Sequence, residues 1–257
     1  MTVGRRNSNG AAARRIRSDE YARTVHEKEA VRERIWAALE RAHASRFPGA
    51  RGRIPNFKGA EAAAHRLTTR PEWQSANVVK ANPDAPQLPV RIQALADGKR
   101  VYMAVPRLRE QKPFILLDPR RLRVDPRDAV SIRGAAVSGR AVRIEDMERA
   151  DLIICGTVAV NRKGARIGKG GGYSDLEFAL LVERGLVDDE TTIATTVHPL
   201  QLLDADLPET EHDFRVDLIV TPDEVVRTRR VKRPPGILWD HLDEDQVAAI
   251  PVLRALT

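Results

Sequence analysis

The stretch Arg166-Ile-Gly-Lys-Gly-Gly-Gly-Tyr-Ser-Asp175 constrains this chain more than any other. Four of the sixteen glycines fall within five positions there, with Lys169 among them. The apolar run Asp151-Leu-Ile-Ile-Cys155 comes before it, and the helix-patterned Leu176-Glu-Phe-Ala-Leu-Leu-Val182 comes after it. A strand, a glycine-rich loop and a helix in that order let backbone N–H groups and a helix N-terminus face an anion. Consecutive glycines accept φ > 0 and let a ligand approach the backbone closely. Ser174 and Glu177 have capping-box spacing, which predicts a helix beginning at Asp175. Walker A is excluded because Gly170 follows Lys169 where that motif needs Ser or Thr. The dinucleotide fingerprint is excluded because Tyr173 stands in place of its last glycine. Two readings stay open at this level: a phosphate cradle, and a plain glycine-rich turn into a helix. Asp175 likewise fits a favourable partner for the helix dipole or, beside phosphates, a ligand for Mg²⁺.

The flanking sequence predicts an α/β fold. Residues 1–18, with Arg5, Arg6, Arg14, Arg15 and Arg17 among small and polar residues, read as a mobile basic tail. Ser18-Asp19-Glu20 reads as a helix start, and Val31, Ile35, Ala38, Leu39 and Ala42 as that helix's apolar stripe. Lys28 and Arg32 lie four apart at the border of the stripe, as two solvated charges or as a pair aimed into a cleft. Pro48 to Pro55 is a connector, followed by a short helix near residues 60–67. Strands are expected at residues 78–80, 101–105, 114–117, 152–160, 191–197 and 216–220, with a helix over 88–96 ending at Gly98. Residues 120–143 read as irregular, and 242–249 as a helix. Strands alternating with helical segments predict a mainly parallel sheet flanked by helices, in one domain over residues 19–257.

The formal charge is +7, mostly from arginine, and it is spread along the chain rather than blocked. That spread argues against dedicated nucleic-acid binding, which needs a basic face. The cluster Arg227, Arg229, Arg230, Lys232 and Arg233 reads as a solvated strand end. A single cysteine, Cys155, ends an apolar run and reads as a small buried hydrophobe. His198 and His212 match no zinc spacing. No stretch is apolar and long enough to cross a membrane, and no secretory signal is seen, so a cytoplasmic protein is expected.

In its context the loop resembles the signature of the 5-formyltetrahydrofolate cyclo-ligase family, whose pattern here is Arg-Leu-Gly-x-Gly-x-Gly-Tyr-Tyr-Asp. Lys28-x3-Arg32, residues 151–159, Val197-His-Pro-Leu-Gln201 and Glu211-His-Asp-Phe-Arg-Val-Asp217 resemble further blocks of that family in the same order. Arg53-Ile-Pro-Asn-Phe-Lys-Gly59, Val79-Lys-Ala-Asn-Pro-Asp84, Tyr102-Met-Ala-Val-Pro-Arg107 and Pro235-Gly-Ile-Leu-Trp239 are similar to a divergent branch, the methenyltetrahydrofolate synthetase domain-containing proteins. The resemblance implies a Rossmann-like three-layer sandwich of the NagB/RpiA/CoA-transferase type. It implies ATP and Mg²⁺, with 5-formyltetrahydrofolate as substrate and 5,10-methenyltetrahydrofolate as product, in a monomer or homodimer. Carried onto this chain, it places Arg166, Lys169 and Tyr173 at the reacting groups. Lys28, Arg32, Arg166, Gly168, Lys169, Gly170, Gly171, Gly172, Tyr173 and Ser174 would surround the ATP phosphates, and Asp175 and Asp213 would bind Mg²⁺. Ser174 stands where the family has a second tyrosine, Leu176 where it often has a basic residue, and Gln87 where the cyclo-ligases have a folate-contacting carboxylate. Two alternatives accompany this reading: a relative acting on another pterin-like or thiamine-related metabolite, and a nucleic-acid-associated protein.

Overall fold

The computed structural model describes residues 6–229, 231, 233–242 and 244–256, with side chains from Asp19 onward. Helix α1 (Arg6–Arg41) comes first and runs through Ser18 without a break. Its backbone thus takes in most of the stretch read as a tail, while Arg5 lies outside the described residues. Residues 11–17 offer Ala and Arg, strong helix formers, and no proline to stop the helix before Ser18. The apolar side of α1 buries Ile35, Trp36 and Leu39 against Val158, Ala159 and Ile167.

Next come α2 (Ala60–Thr68), α3 (Pro71–Ser75), β1 (Val78–Ala81), α4 (Leu88–Ala96), β2 (Arg100–Ala104) and β3 (Phe114–Leu117). Then follow α5 (Pro126–Ala129), α6 (Ile132–Ser138), β4 (Arg140–Val142), β5 (Leu152–Ile154), β6 (Ala159–Asn161) and β7 (Arg166–Ile167). The chain closes with α7 (Tyr173–Glu183), β8 (Thr192–Thr196), β9 (Leu202–Leu203), β10 (Leu218–Val220), β11 (Val225–Arg227), α8 (Glu244–Ala249) and α9 (Pro251–Arg254). The main sheet has the order β11-β10-β8-β5-β1-β2-β3-β4. Its centre, β10 to β2, is parallel, as expected. The margins β11, β3 and β4 pair antiparallel, which short connections allow and parallel pairing does not. One sheet face packs on Phe178, Leu180 and Leu181 of α7, and the other on Ala63, Leu67, Val90 and Leu95 of α2 and α4. Helices thus cover both sides, the arrangement that mostly parallel sheets require. A second, three-stranded sheet, β7-β6-β9, carries the underside of α1.

Two expectations need correction. The apolar run 152–160 is not one strand but two, β5 and β6, in different sheets. The chain turns at Gly156, where a Cβ would meet Asp84 Oδ2 at 2.9 Å and Ile54 at 3.0 Å. Hydropathy could not show this break, because both strands are fully buried. Residues 120–143 are not irregular. Asp125 and Ser131 cap α5 and α6 by accepting from the N–H of Arg127 and Gly134, and β4 follows.

Candidate functional site

The strand order reverses between β1 and β5. From β1 the chain proceeds to β2 on one side, and β5, β8 and β10 extend the other. Ligands in open α/β sheets bind beyond the carboxyl ends of strands at such a point. Residues 82–84 and Gly156 lie there and line a cleft of about 830 Å³, together with the loop 168–172 and Lys28, Arg32 and Asp213.

The loop is delivered by the β6–β7 hairpin. Asn161 Oδ1 accepts from the N–H of Lys163 and of Ala165, both at 3.0 Å, and fixes the turn. Gly170 (φ 104°) and Gly172 (φ 67°) are left-handed, a region L side chains avoid. Gly172 ends the loop, and α7 begins at Tyr173 rather than at Asp175. Ser174 caps nothing, and Glu177 does not reach back. With no side-chain cap, the first-turn N–H groups of α7 and its positive dipole end are left for the cleft.

Four cations surround this loop, all of them expected there. Arg32 Nε donates to Gly168 O at 2.8 Å, and its guanidinium carbon lies 3.5 Å from where a Gly170 Cβ would be. Lys28 pairs with Asp213 and donates to Thr210 Oγ1 at 3.3 Å. Lys169 is half exposed and reaches Asp84 Oδ1 at 3.0 Å. Arg166 is 2% exposed and donates to Gly156 O at 3.0 Å and to Asp175 Oδ1 at 2.7 Å, stacked 4.3 Å above Phe214. Burial works against its charge, but Asp175, Cys155 and Asp213 together outweigh that and secure it. Its Nε is buried without an acceptor. Tyr173 also lines the cleft, with its ring 3.0 Å from a Cβ built on Gly171.

The supports behind the loop went unread in the sequence. Lys80, 2% exposed at the end of β1, pairs with Glu177 on α7 and donates to Asn82 Oδ1 at 3.1 Å. Asn82 Nδ2 in turn donates to Ser174 Oγ at 3.3 Å. Arg91 is buried beneath and donates to the carbonyls of Asn82, Pro83, Asp84 and Val130. Burial pulls its guanidinium down to about 10. A lysine in an apolar strand next to the switch point was the available signal. Gln87 needs a correction. Its side chain is fully buried, with Nε2 3.5 Å from Thr196 Oγ1, and does not line the cleft. The cleft-facing carboxylate of this segment is Asp84.

Asp175 and Asp213 each hold a cation, and the described residues contain no group of three or more His, Cys, Asp or Glu that could hold a metal. Two carboxylates lining one cleft are the number Mg²⁺ takes where it keeps most of its waters and is otherwise bound by phosphate oxygens. Burial alone would raise the Asp213 carboxyl; Lys28 and the Thr210 hydrogen bonds outweigh it and hold it below the ordinary value. Its charge therefore contributes stability that is present above about pH 4 and lost as pH falls through the lowered value. Wild type should melt above Asp213→Asn at pH 7, and the gap should narrow as pH falls below about 4; a gap independent of pH would contradict the assignment. His212 meets His241 ring nitrogen to ring nitrogen at 2.9 Å beside the cleft, and burial keeps it neutral to lower pH than usual. His198 caps the turn at Pro199 by accepting from the N–H of Leu200. Cys155 is fully buried, and burial raises its thiol, as a packing role requires. Arg227 pairs with Glu72, while Arg230 and Lys232 lie outside the described residues.

Comparisons with known proteins identify the family. A family model described as the 5-formyltetrahydrofolate cyclo-ligase family matches residues 24–222. The methenyltetrahydrofolate synthase domain-containing protein of Mus musculus is 38% identical over 235 residues, covering 89% of this chain and 63% of that protein. Its Homo sapiens counterpart is 35% identical over 235 residues, covering 89% and 61%. The chain thus spans about three fifths of the length of these curated relatives. The NMR structure of Aquifex aeolicus 5,10-methenyltetrahydrofolate synthetase superposes with a TM-score of 0.51 at 21% identity, over 83% of this chain and 99% of that one. At that identity the likeness speaks for the fold. No helix among the described residues is long and apolar enough to cross a membrane.

Proposed function

We propose that this chain, which belongs to the 5-formyltetrahydrofolate cyclo-ligase family, converts 5-formyltetrahydrofolate to 5,10-methenyltetrahydrofolate at the expense of ATP, with Mg²⁺. The observation that carries the phosphate half is the convergence of Lys28, Arg32, Arg166 and Lys169 on the loop before the uncapped start of α7. Four cations and a helix N-terminus suit a polyphosphate. The cleft volume is of the size that takes a cofactor or a small substrate. When bound, MgATP would supply the γ-phosphoryl group to the formyl oxygen with ADP as leaving group; N10 would then close on the formyl carbon and lose its proton as that oxygen departs as phosphate.

What the protein does is align and neutralise. Arg32 holds the loop by Gly168 and faces Gly170, where phosphate oxygens would approach. Lys169, on a half-exposed and flexible stem, is the cation able to follow charge as it builds up on the transferred group. Arg166 orients Asp175, and Lys28 orients Asp213, the two carboxylates that would hold Mg²⁺. Tyr173 walls the nucleotide side from the folate side, and Asp84 is the carboxylate placed to accept from pterin N–H groups.

Purified protein given 5-formyltetrahydrofolate, ATP and Mg²⁺ should develop the absorbance of methenyltetrahydrofolate. Retained ATP binding without that absorbance would overturn the folate half and keep the phosphate half.

A further inference from the structure

The cleft contains cations that the loop does not use. Lys28, Arg32, Arg166, Lys169 and Arg91 each hold a protein oxygen already. Arg53 and Arg107 line the same cleft, and their guanidinium groups make no hydrogen bond or ion pair among the described residues. Arg53 is engaged through its backbone, its N–H donating to Ala50 O at 3.2 Å and its carbonyl accepting from Trp36 Nε1 at 3.0 Å.

Arg107 has a second peculiarity. It lies just past the carboxyl end of β2 with φ 60° and ψ 19°, and Leu108 follows with φ 53°. L side chains adopt this left-handed conformation at a cost that glycine avoids. Leu108 is explained by its complete burial in the core. Arg107 is exposed, so packing does not explain why it stands where glycine would be unstrained. Strain at a cleft-lining residue whose side chain has no partner is characteristic of a ligand contact.

We propose that Arg107, with Arg53, forms a second anion subsite, one for the glutamyl carboxylates of a folate substrate; the inference rests on the folate reading above. The phosphates have their own cations and a helix N-terminus. Ile54, Leu88, Val105 and Ile132 add apolar surface to the same cleft. A folate is a flat ring system joined to a tail with two carboxylates. Two forked guanidinium groups match two carboxylates, each able to bind bidentately.

The test uses calorimetric binding of p-aminobenzoylglutamate, the tail alone, and separately of ATP, to wild type, Arg107→Gly, Arg107→Lys and Arg53→Ala. Arg107→Gly should weaken tail binding by about tenfold or more while binding ATP as wild type does. It should melt no lower than wild type, because glycine relieves the backbone. Arg107→Lys should keep part of the affinity, and Arg53→Ala should also weaken the tail. In turnover, KM for 5-formyltetrahydrofolate should rise in Arg107→Gly with kcat within about threefold. Failure of the wild type to bind the tail, or a loss confined to ATP, overturns the subsite. Tail binding without turnover keeps the subsite and refutes the reaction; turnover with KM unmoved in Arg107→Gly refutes the subsite and keeps the reaction.

Discussion

Lys169→Ala should lower kcat/KM for the ATP-dependent reaction by about 100-fold or more and leave the fold intact. The two halves of that result have separate causes. The Lys169 side chain is half exposed, and its one ion pair, to Asp84 at 3.0 Å, is of the kind worth about 0–1 kcal/mol. The melting temperature should therefore stay within a few degrees of wild type. A cation aimed at a transferring phosphoryl group counts for far more, because it acts where charge develops. Lys169→Arg should recover part of the rate by restoring the charge in a different shape. Steady-state kinetics with circular dichroism melts decides it: an unchanged kcat/KM means that the loop does not engage the transferred group.

The second large effect is on stability. Lys80→Met should cost about 3–5 kcal/mol, since it leaves Glu177 buried without its counter-charge. For a domain whose net stability is about 5–15 kcal/mol, that is a substantial share. Glu177→Leu should be similarly damaging, for the mirror-image reason. The double replacement Lys80→Met/Glu177→Leu should regain most of the loss, because apolar groups of similar volume often replace a buried ion pair without penalty. Urea denaturation of the two single variants and the double one gives the coupling directly. If both single changes cost under about 1 kcal/mol, the pair does not hold α7 against β1.

The sequence revealed the parts of this protein that are local. The glycines at 168–172, the Lys28/Arg32 spacing and the apolar stripe of α1 each show in a short window. The structure brings the loop and the Lys28/Arg32 pair to one cleft, while the stripe packs on the second sheet. The parallel strands β1, β8 and β10 and helix α4 were legible for the same reason. What was hidden depends on the third dimension. Residues 152–160 are apolar throughout, and the passage from one sheet to the other at Gly156 is set by Asp84 and Ile54, distant in sequence. The capping-box spacing of Ser174 and Glu177 was misleading, because Lys80 of β1 and Asn82 just past it claim both side chains. Gln87 and Asp84 are three residues apart, and only the turn into α4 decides which faces the ligand.

The two carboxylates proposed to hold the metal are each neutralised by a resident side chain, Asp175 by Arg166 and Asp213 by Lys28. Each of these acids thus has its counter-charge in the protein itself, and no divalent ion is needed to supply one. Chelators should leave the ligand-free protein's melting curve where it is. On the proposed function, a metal–nucleotide complex would enter by partner exchange: the metal would relieve an acid of its cation, and the released cation would turn to a phosphate. Such an exchange would favour the complex over either the bare ion or the bare nucleotide.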